Sequence, residues 1–412
     1  MKKYIVLTFN VCNMGGGQLF VLRRSLYLKN KGFDVHVITT FDNGVFPLKE
    51  SFEGIPIYNI PEMASSSSFV SEKRQKEILS NVIQKIGKAD EYYLESHTLG
   101  TIEWAELLSA KLHGRHLAYP LAEPLFNKQF FYPGKSIILN KLERNQLYGN
   151  NSRSLVHIFG KEPKQNLFIN IAFDETELKV TCSPSLNFKK QAGDYVITTV
   201  TRLDKTYVEP FIEDIKKLAL KYPTQQYVMI VAGGSNTGTR EKDLLVKYSK
   251  SDIANLKIVF TGYIKELGKD IFNVSDVFVG MGTASINAIS QRCIALNIDP
   301  SRNNMCSGIF GIDTNNFGYT ENGKVYTIFE KIEEIYLADE NKKNYLKKVG
   351  RELFETSFEI NSCFLQMDAA INSISESQDE PCLYVSKSYR FVVRLSYKLL
   401  AIIKKTIISN RI

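Results

Sequence analysis

The sequence has little of what marks metal sites, disulfide frameworks and secretion. Its six cysteines are scattered through 412 residues, with no Cys-x-x-Cys pair and no clustering with histidine. This distribution argues against a zinc site or a disulfide framework and fits a reducing cytoplasm. The opening run "MKKYIVLTF" is short and is followed by Asn and Gly rather than by a small-residue cleavage site. We therefore interpret it as a β-strand and not as a signal peptide.

Net positive charge is scarce outside the C-terminus. The net charge is +8, and residues 386–412 contain no acid and seven basic residues, which are Lys387, Arg390, Arg394, Lys398, Lys404, Lys405 and Arg411. The rest of the chain is therefore nearly neutral. Because it shows no other basic face and no known nucleic-acid module, we do not expect nucleic acid as a partner.

The C-terminal segment, residues 386–412, has the pattern of a basic amphipathic tail. Its uninterrupted apolar runs are too short to span a bilayer, which takes ~20 residues. Drawn as a helix, it separates three cations, Arg390, Arg394 and Lys398, from the apolar side chains Val392, Leu395, Leu399, Ile402 and Ile403. Such a segment predicts peripheral binding to an anionic membrane, on the inner face of the cell membrane. A terminal helix packed on the protein, with its cations in water, is the alternative.

Length and periodicity predict two α/β domains, since 412 residues exceed what one core usually organises. Strand-like and amphipathic helical runs alternate in both halves, which is typical of helices packed on a largely parallel sheet. In this alternation "SLVHIFG" is a strand, and "MASSSSFVSEKR" predicts a mobile surface loop before a helix. The pattern breaks near residues 184–193. We expect Rossmann-like domains at 1–185 and 186–375, facing each other across a cleft.

A glycine-rich turn follows the first strand. Gly15, Gly16 and Gly17 precede a helical run that ends at Gly32, and a second strand follows. In such a βαβ unit the helix N-terminus presents backbone N–H groups, which favour phosphate. The turn is not a dinucleotide fingerprint, because Phe20 occupies the third glycine position and no acid ends the second strand. A turn that only lets the helix pack on the strand is the simpler alternative.

Three motifs of the second half fall at predicted strand ends. "TVTRLDK" places Arg202 and Lys205 after the first strand of this half. "IVAGGSNTG" and "VGMGTASINA" supply small residues after later strands, namely Gly233, Gly234, Gly282, Thr283 and Ala284. Because ligands of such sheets lie beyond the carboxyl ends of the strands, these residues are expected to meet. Two cations facing a glycine-rich helix N-terminus predict a diphosphate clamp.

The order of "TRLDK", "VMIVAGG", "IVFTGYI" and "SDVFVGMGTASINAIS" resembles the carboxyl-terminal domain of glycosyltransferase family 4. "NMGGGQ" likewise resembles the Gly-rich loop that meets donor and acceptor in that family. The resemblance covers about residues 1–375 and implies the GT-B fold. It also implies transfer of a sugar from a nucleotide-diphosphate donor with retention of anomeric configuration, without an essential metal or other cofactor. Consistently, the chain lacks Asp-x-Asp, the magnesium-holding pattern of the other major glycosyltransferase fold.

The resemblance assigns roles to individual donor-site residues. Arg202 matches the arginine that holds the diphosphate. The family's lysine, five positions later, corresponds to Tyr207, so Lys205 would have to replace it. The ribose-binding glutamate corresponds to Asn287, and an earlier glutamate, seven positions before it, to Gly280. An asparagine amide gives neutral hydrogen bonds, roughly half as strong as those of a carboxylate, so donor binding is expected to survive in weakened form.

Two residues of the first half complete the predicted site. His97, in "YYLESHTLG", occupies a place where the family often has a histidine near the transferred sugar, and Glu123, in "YPLAEPLF", lies at a similar position after the next strand. A strand-end histidine with a backbone partner is the alternative for His97. A retaining transferase needs no general base, because the leaving phosphate can take the acceptor proton. The main task of the protein is to stabilise charge on the diphosphate.

The sequence as a whole predicts a cytoplasmic, membrane-associated glycosyltransferase. Its expected partners are a nucleotide-diphosphate sugar and a lipid-linked glycan acceptor, in surface polysaccharide biosynthesis. A catalytically weakened GT-B protein that serves as the binding partner of an active transferase is the alternative, because both carboxylates are missing. A sugar-nucleotide epimerase is disfavoured, since nothing supplies an acidic pair for proton transfer.

Overall fold

The computed structural model describes residues 1–12, 16–44, 50–121, 134–183, 186, 188–235, 239–248, 253–299, 302, 305–317, 320, 323–376, 391–392 and 395. The chain forms two compact units. The first comprises Met1–Ile171 and the described residues from Phe364 onward, and the second comprises Ala172–Cys363. Within the described residues, no helix is long and apolar enough to cross a membrane.

Strands and helices alternate along most of the described chain. The strands are β1 (Lys2–Thr8), β2 (Asp34–Thr39), β3 (Ile57–Asn59), β4 (Glu91–Ser96), β5 (Arg115–Ala118), β6 (Asp194–Val200), β7 (Gln226–Ala232), β8 (Leu256–Gly262), β9 (Val277–Gly280), β10 (Ile294–Asp299) and β11 (Met305–Ile309). The α-helices are α1 (Gly16–Asn30), α2 (Glu72–Ile86), α3 (Leu99–Leu112), α4 (Lys135–Glu143), α5 (Ser154–Phe159), α6 (Val208–Lys221), α7 (Thr239–Tyr248), α8 (Asp270–Asn273), α9 (Thr283–Ser290), α10 (Ile328–Leu337), α11 (Glu340–Ser357) and α12 (Ile360–Asn372). The βαβ alternation predicted from the sequence is confirmed.

The first unit carries a five-stranded parallel sheet in the order β3-β2-β1-β4-β5. In β1 every residue after Lys2 is buried, without the alternation of a half-exposed strand. This is the pattern of a parallel strand covered by helices on both faces. The central strands β1 and β4 end beside each other, and α1 starts from the turn that follows β1.

The second unit carries a six-stranded sheet in the order β11-β10-β9-β6-β7-β8, in which β11 is an antiparallel edge strand. From β6 the chain builds outward through β7 and β8, and then it returns to place β9 on the other side of β6. The strand order therefore reverses between β6 and β9. In doubly wound sheets, ligands bind in the crevice at this reversal, outside the carboxyl ends of the strands.

The chain enters the second unit after Ile171, earlier than the division predicted at 185. Residues 172–183 belong to the second unit because isolated β-bridges from Phe173, Lys179 and Ser183 attach them to it. These bridges join residues that are far apart in sequence, so the local pattern gave no sign of them.

Helix α12 returns the chain to the first unit. Its Phe364 ring lies 5.8 Å from that of Phe20 and 5.0 Å from that of Tyr27 on α1. Asp368 forms an ion pair with Arg24 Nη1 at 2.9 Å. The first unit is therefore discontinuous in sequence, where the periodicity had predicted one continuous domain ending at 185.

The segment "SLVHIFG" is a helix, so its prediction as a strand was wrong. Leu155 and Ile158, three residues apart, are both buried in α5, whereas Val156 and His157 between them are half-buried. This spacing fits one face of a helix. The helix ends at Gly160, which adopts a left-handed conformation with φ of +69°.

Part of the serine-rich segment is buried, and for that part the prediction of a surface loop was wrong. Ser66, Ser67 and Ser68 are at most 2% exposed. The hydroxyls of Ser66 and Ser67 and the Ser67 N–H donate hydrogen bonds to Glu103 Oε2 at 2.8 to 3.1 Å. A buried carboxylate requires such donors, which explains why serines rather than apolar residues fill this part of the interior.

Most of the predicted C-terminal tail lies outside the described residues. Of residues 386–412, the structure describes Phe391, Val392 and Leu395, which are helical and are 66%, 58% and 51% exposed. Residues spaced i, i+1 and i+4 share one side of a helix. These three apolar side chains therefore form an exposed apolar face.

Candidate functional site

A cavity of about 550 Å³ lies at the carboxyl ends of β6, β7 and β8 and beside the start of α9. It occupies the crevice of the second unit at which the strand order reverses. Six predicted donor-site residues line it: Arg202, Gly233, Gly234, Thr283, Ala284 and Asn287. Three motifs separated by up to about 85 positions in the sequence thus meet at one place.

Arg202 and the N-terminus of α9 give this cavity its positive character. Arg202 follows β6, and its side chain is 57% exposed, with Asp204 at 4.0 Å as an ion-pair partner. Helix α9 starts after Gly282, whose φ is +67°, and no side chain caps it. The first residues of the helix, Thr283 and Ala284, line the cavity. A guanidinium beside uncapped backbone N–H groups is an arrangement that binds phosphate.

Gly233 lets two strand-end loops approach each other. It has a φ of +139°, and a Cβ atom at this position would lie 1.8 Å from the carbonyl oxygen of Thr201. No other residue fits without moving the backbone that leads from β6 to Arg202. Gly234 follows, where a Cβ atom would lie 3.3 Å from Cβ of Tyr263.

Asn287 brings an unsatisfied acceptor to the cavity. The residue is 7% exposed, and among the described residues none donates a hydrogen bond to its Oδ1. Ser235 also lines the cavity, and its buried hydroxyl has no hydrogen-bond partner within the described residues. Buried polar atoms are nearly always hydrogen-bonded, so both groups fit a ligand that carries hydroxyl groups.

Lys205 and Gly282 are not among the residues that line the cavity. Lys205 is half-buried, and its backbone N–H donates to the carbonyl oxygen of Arg202 at 3.1 Å. Tyr207, at the position of the family's lysine, is 1% exposed, and its hydroxyl lies 3.4 Å from Thr199 Oγ1. Burial raises the pKa of Tyr207. This side chain belongs to the core and supplies no charge to a ligand.

The cavity-lining side chains that sequence reasoning missed include Glu241, Tyr263 and Lys265. Lys265 is exposed and supplies a second cation, for which Lys205 had been predicted. Tyr263 and Lys265 lie in the loop directly after β8, so their position at the end of a parallel strand was a usable signal. Glu241 lies in the first turn of α7, and nothing in the local sequence distinguishes it from a surface residue.

In the first unit, His97 lies at the carboxyl end of β4 and is 1% exposed. Its Nε2 is 2.8 Å from Glu95 Oε1, and its Nδ1 has no hydrogen-bond partner within the described residues. The ring packs edge-on against Phe20 at 5.7 Å. The side-chain partner of His97 is therefore a carboxylate.

Glu95 is ionised, and this determines the role of His97 Nε2. Burial acts to raise the pKa of Glu95, but the charge of Arg24 and hydrogen bonds from His97 and Tyr4 outweigh it and lower the pKa to about 2. Arg24 Nε lies 3.1 Å from Glu95 Oε2, and the Tyr4 hydroxyl donates to the same oxygen at 2.8 Å. A carboxylate only accepts hydrogen bonds, so Nε2 of His97 carries a proton and donates it to Glu95.

The glycine-rich turn lies near His97. Gly16 is the first residue of α1, and a Cβ atom on Gly17 would lie 3.7 Å from Leu121 Cδ1. The Leu121 N–H donates to the carbonyl oxygen of His97 at 3.2 Å. The described residues thus bring Gly17 close to the His97 loop, while Gly15 and Glu123 lie outside the described residues.

A second buried ionic cluster in the first unit has the order of a catalytic triad. Ser96 Oγ is 2.7 Å from His116 Nε2, and His116 Nδ1 is 2.8 Å from Glu106 Oε2, which also pairs with Lys141 at 2.6 Å. Burial and the charge of Lys141 lower the pKa of His116 to about 4, and burial lowers that of Lys141 to about 8. These four residues are at most 5% exposed. Their polar groups pair with one another, and we therefore interpret them as a structural cluster.

Comparison with known proteins identifies the fold. No known family profile and no characterised protein sequence matches the chain. Several solved structures, in contrast, align with it. HepE from Anabaena, in a complex with UDP and glucose, aligns with a TM-score of 0.57 at 15% identity over 90% of this chain and 100% of its own. A glycosyltransferase from Rickettsia africae aligns with a TM-score of 0.61 at 14% identity, over 90% of this chain and 99% of its own. Sucrose-phosphate synthase from Thermosynechococcus elongatus aligns with a TM-score of 0.55 at 14% identity, over 90% of this chain and 98% of its own.

These structures share the GT-B architecture of glycosyltransferases, and this chain has that fold. The fold class predicted from the sequence is confirmed. Identities of 15% or less establish the fold and leave the activity to be argued from the site itself.

Proposed function

We propose that this protein is a retaining glycosyltransferase of the family 4 type. It transfers a sugar from a nucleotide-diphosphate donor to a glycan acceptor. The observation that carries the proposal is the convergence of Arg202, the N-terminus of α9 and Asn287 on one cavity. The cavity lies at the switch point of a GT-B unit, and HepE, a structural neighbour, was crystallised with UDP-glucose, which supports the same class of donor.

Arg202 holds the diphosphate in this proposal, together with the N–H groups that open α9. During transfer, the bond between the anomeric carbon and the β-phosphate oxygen breaks, and negative charge grows on that phosphate. The fixed guanidinium and the N–H dipoles interact more strongly with this charge than with the ground state, which lowers the barrier. No carboxylate is required for this step.

The acceptor hydroxyl forms the new bond to the anomeric carbon on the face that the phosphate leaves. Its proton passes to the released β-phosphate oxygen, so atoms and charge balance without a protein base. Asn287 Oδ1 accepts a hydrogen bond from a ribose hydroxyl. The family resemblance implies a role for His97 near the transferred sugar, and the Nδ1 atom of His97, which has no partner within the described residues, supports this assignment.

The acceptor is proposed to be lipid-linked, with the product entering a surface polysaccharide. The exposed apolar face formed by Phe391, Val392 and Leu395 supports this part of the proposal. Basic residues of the same tail would interact with anionic headgroups at the inner face of the cell membrane, where a lipid-borne glycan is presented.

A panel of nucleotide-diphosphate sugars tests the proposal by thermal shift, since a ligand that binds the native state raises the melting temperature. Release of the nucleoside diphosphate with a polyprenyl-linked glycan acceptor then measures turnover. We expect one donor to raise the melting temperature and to be consumed. Donor binding without any turnover would instead favour the non-catalytic partner protein suggested by the missing carboxylates. Failure of every donor to bind contradicts both.

A further inference from the structure

Glu241 is an unassigned carboxylate in the donor cavity. It lies in the first turn of α7 and is half-buried. Its neighbour Arg240 pairs with Glu209, whereas Glu241 has no ion pair within the described residues. A carboxylate in the first turn also stabilises the helix dipole, but this role does not require a position on the cavity wall.

The surroundings of Glu241 leave room for its carboxylate. Gly262, at the end of β8, has a φ of +72°, and a Cβ atom there would lie 3.0 Å from Glu241 Oε1. The next residue is Tyr263, which lines the cavity with a side chain that is 70% exposed. This end of the cavity therefore offers a flat aromatic ring and an anionic acceptor together.

The charges along the cavity orient a nucleotide. Arg202 follows β6, and α9 follows β9, so the phosphate-binding groups lie at two neighbouring central strands. Tyr263 follows β8, two strands from β6, which corresponds to about 10 Å at the usual strand spacing. Glu241 repels phosphate. The diphosphate therefore binds toward Arg202, and the uncharged base binds toward Tyr263 and Glu241.

The four common bases differ in what they offer to a carboxylate, which only accepts hydrogen bonds. Guanine presents two adjacent donors, N1–H and the N2 amino group, and can pair with both carboxylate oxygens. Uracil presents one N–H between two carbonyl oxygens, which a carboxylate repels. Adenine and cytosine each present an amino group next to a ring-nitrogen acceptor. Guanine is the base that fits.

We propose that Glu241 selects guanine, so that the donor is a GDP-sugar. This inference rests on the proposed function and adds the identity of the nucleotide to it. Glu241 is a specificity-determining residue here, since it touches the base and takes no part in bond breaking.

Calorimetry with GDP, inosine diphosphate, UDP and ADP on the full chain tests this inference. Inosine diphosphate lacks the N2 amino group, so it measures one of the two hydrogen bonds. We expect GDP to bind about tenfold or more tightly than UDP and ADP, with inosine diphosphate between them, because hydrogen bonds to charged groups are worth this much. In Glu241→Gln the preference for GDP over UDP should largely disappear. Glu266→Gln removes the same charge from an exposed residue outside the cavity lining and should keep it.

The outcomes are separable. If the wild-type protein binds UDP or ADP more tightly than GDP, the inference is overturned while the proposed function stands. If Glu241→Gln leaves GDP affinity unchanged, or weakens all four nucleotides equally, Glu241 does not read the base, and the inference is overturned as well. If no nucleotide binds, the proposed function itself is overturned, and with it the inference. The wild-type ranking needs no variant, so an unfolded Glu241→Gln protein does not remove the test.

Discussion

Glu95 and His97 share a hydrogen bond of 2.8 Å between Oε1 and Nε2, and both side chains are at most 1% exposed. The bond fixes the histidine ring and leaves Nδ1 without a hydrogen-bond partner within the described residues. The charge of Arg24 helps to keep Glu95 ionised, so the carboxylate remains available as the acceptor for Nε2.

Replacing His97 by Ala should slow transfer and leave donor affinity unchanged. The donor cavity belongs to the second unit, while Nδ1 of His97 is proposed to contact the sugar as it moves. Loss of a hydrogen bond that strengthens in the transition state lowers kcat by roughly 10²-fold. Steady-state kinetics and donor calorimetry measure the two effects. His113→Asn, at an exposed helix end, is the control. An unchanged kcat in folded His97→Ala would remove His97 from the site.

Arg202→Ala should weaken donor binding without affecting folding. The side chain is 57% exposed, and a bound diphosphate would cover it in the proposed complex. Truncating one partner of a desolvated charge pair costs about 2–5 kcal/mol of binding free energy. Calorimetry with the donor measures the loss, and circular dichroism checks the fold. Arg292→Ala removes the same charge outside the cavity lining and should bind normally. Equal affinities for Arg202→Ala and wild type would contradict the assignment.

Asn287→Glu should tighten nucleotide binding. It places a carboxylate where Oδ1 of Asn287 now lacks a partner, and charge-assisted hydrogen bonds to a ribose diol are roughly twice as strong as neutral ones. Asn287→Gln has a side chain as long as that of Asn287→Glu but without the charge. It therefore distinguishes the effect of the charge from the effect of the longer side chain. Calorimetry on the three proteins decides between them. Weaker binding by a folded Asn287→Glu protein would mean that the ribose lies elsewhere.

The first unit should lose stability as the pH falls from about 6.5 toward about 4. His116 has a pKa of about 4 in the folded protein, against 6.5 in an unfolded chain, so between these values only the unfolded chain takes up the proton. The lost free energy of unfolding approaches ~3 kcal/mol at the acid end, at 1.36 kcal/mol per pKa unit. Below about pH 4.5, Glu106 and Glu95, whose pKa values are lowered, add further losses.

Fluorescence of Trp104, the single tryptophan of the chain, reports unfolding of this unit in urea. In His116→Asn the protein should be less stable at pH 7, but its stability should vary less between pH 6.5 and 5. The slope of the free energy of unfolding against pH therefore distinguishes the titration of His116 from the packing of its side chain. A slope equal to that of the wild type would show that another group titrates in this range.

Removal of the tail from Ser386 onward should release the protein from anionic vesicles. Burial of apolar side chains anchors the segment, and each cation adds ~1 kcal/mol near an anionic surface, a contribution that salt screens. Flotation assays at low and high salt measure binding, and donor calorimetry should show no change. A variant with Phe391, Val392 and Leu395 all replaced by Ser keeps the charges and should bind only at low salt. If truncation unfolds the protein, the segment is a packed structural helix.

The sheets were predictable because their strands are apolar along their whole length. In β7, for example, every residue after Gln226 is buried, so the run itself marks the strand. In contrast, "SLVHIFG" is as apolar as a strand, but it is helical because Leu155 and Ile158 are the buried pair. Short apolar runs allow both periodicities, and tertiary contacts decide between them.

The meeting of residues at the candidate cavity was predictable where a motif contains a physical requirement. Gly233 is such a case, since only glycine can lie this close to the carbonyl oxygen of Thr201. Lys265 and Glu241 were missed because their position depends on how loops after different strands meet. Likewise, the buried serines near Glu103 were predicted to form a surface loop, because the carboxylate that they surround is about 36 positions away in the sequence.

The return of α12 to the first unit has a consequence for synthesis on the ribosome. Arg24 and its partner Asp368 on α12 are separated by 344 positions, so the N-terminal half of the chain leaves the exit tunnel long before the helix that covers α1 is translated. Until then, Phe20 and Tyr27 lack the aromatic ring that Phe364 provides. A nascent chain of this protein therefore exposes the apolar face of α1 to solvent until α12 has been translated and can cover it.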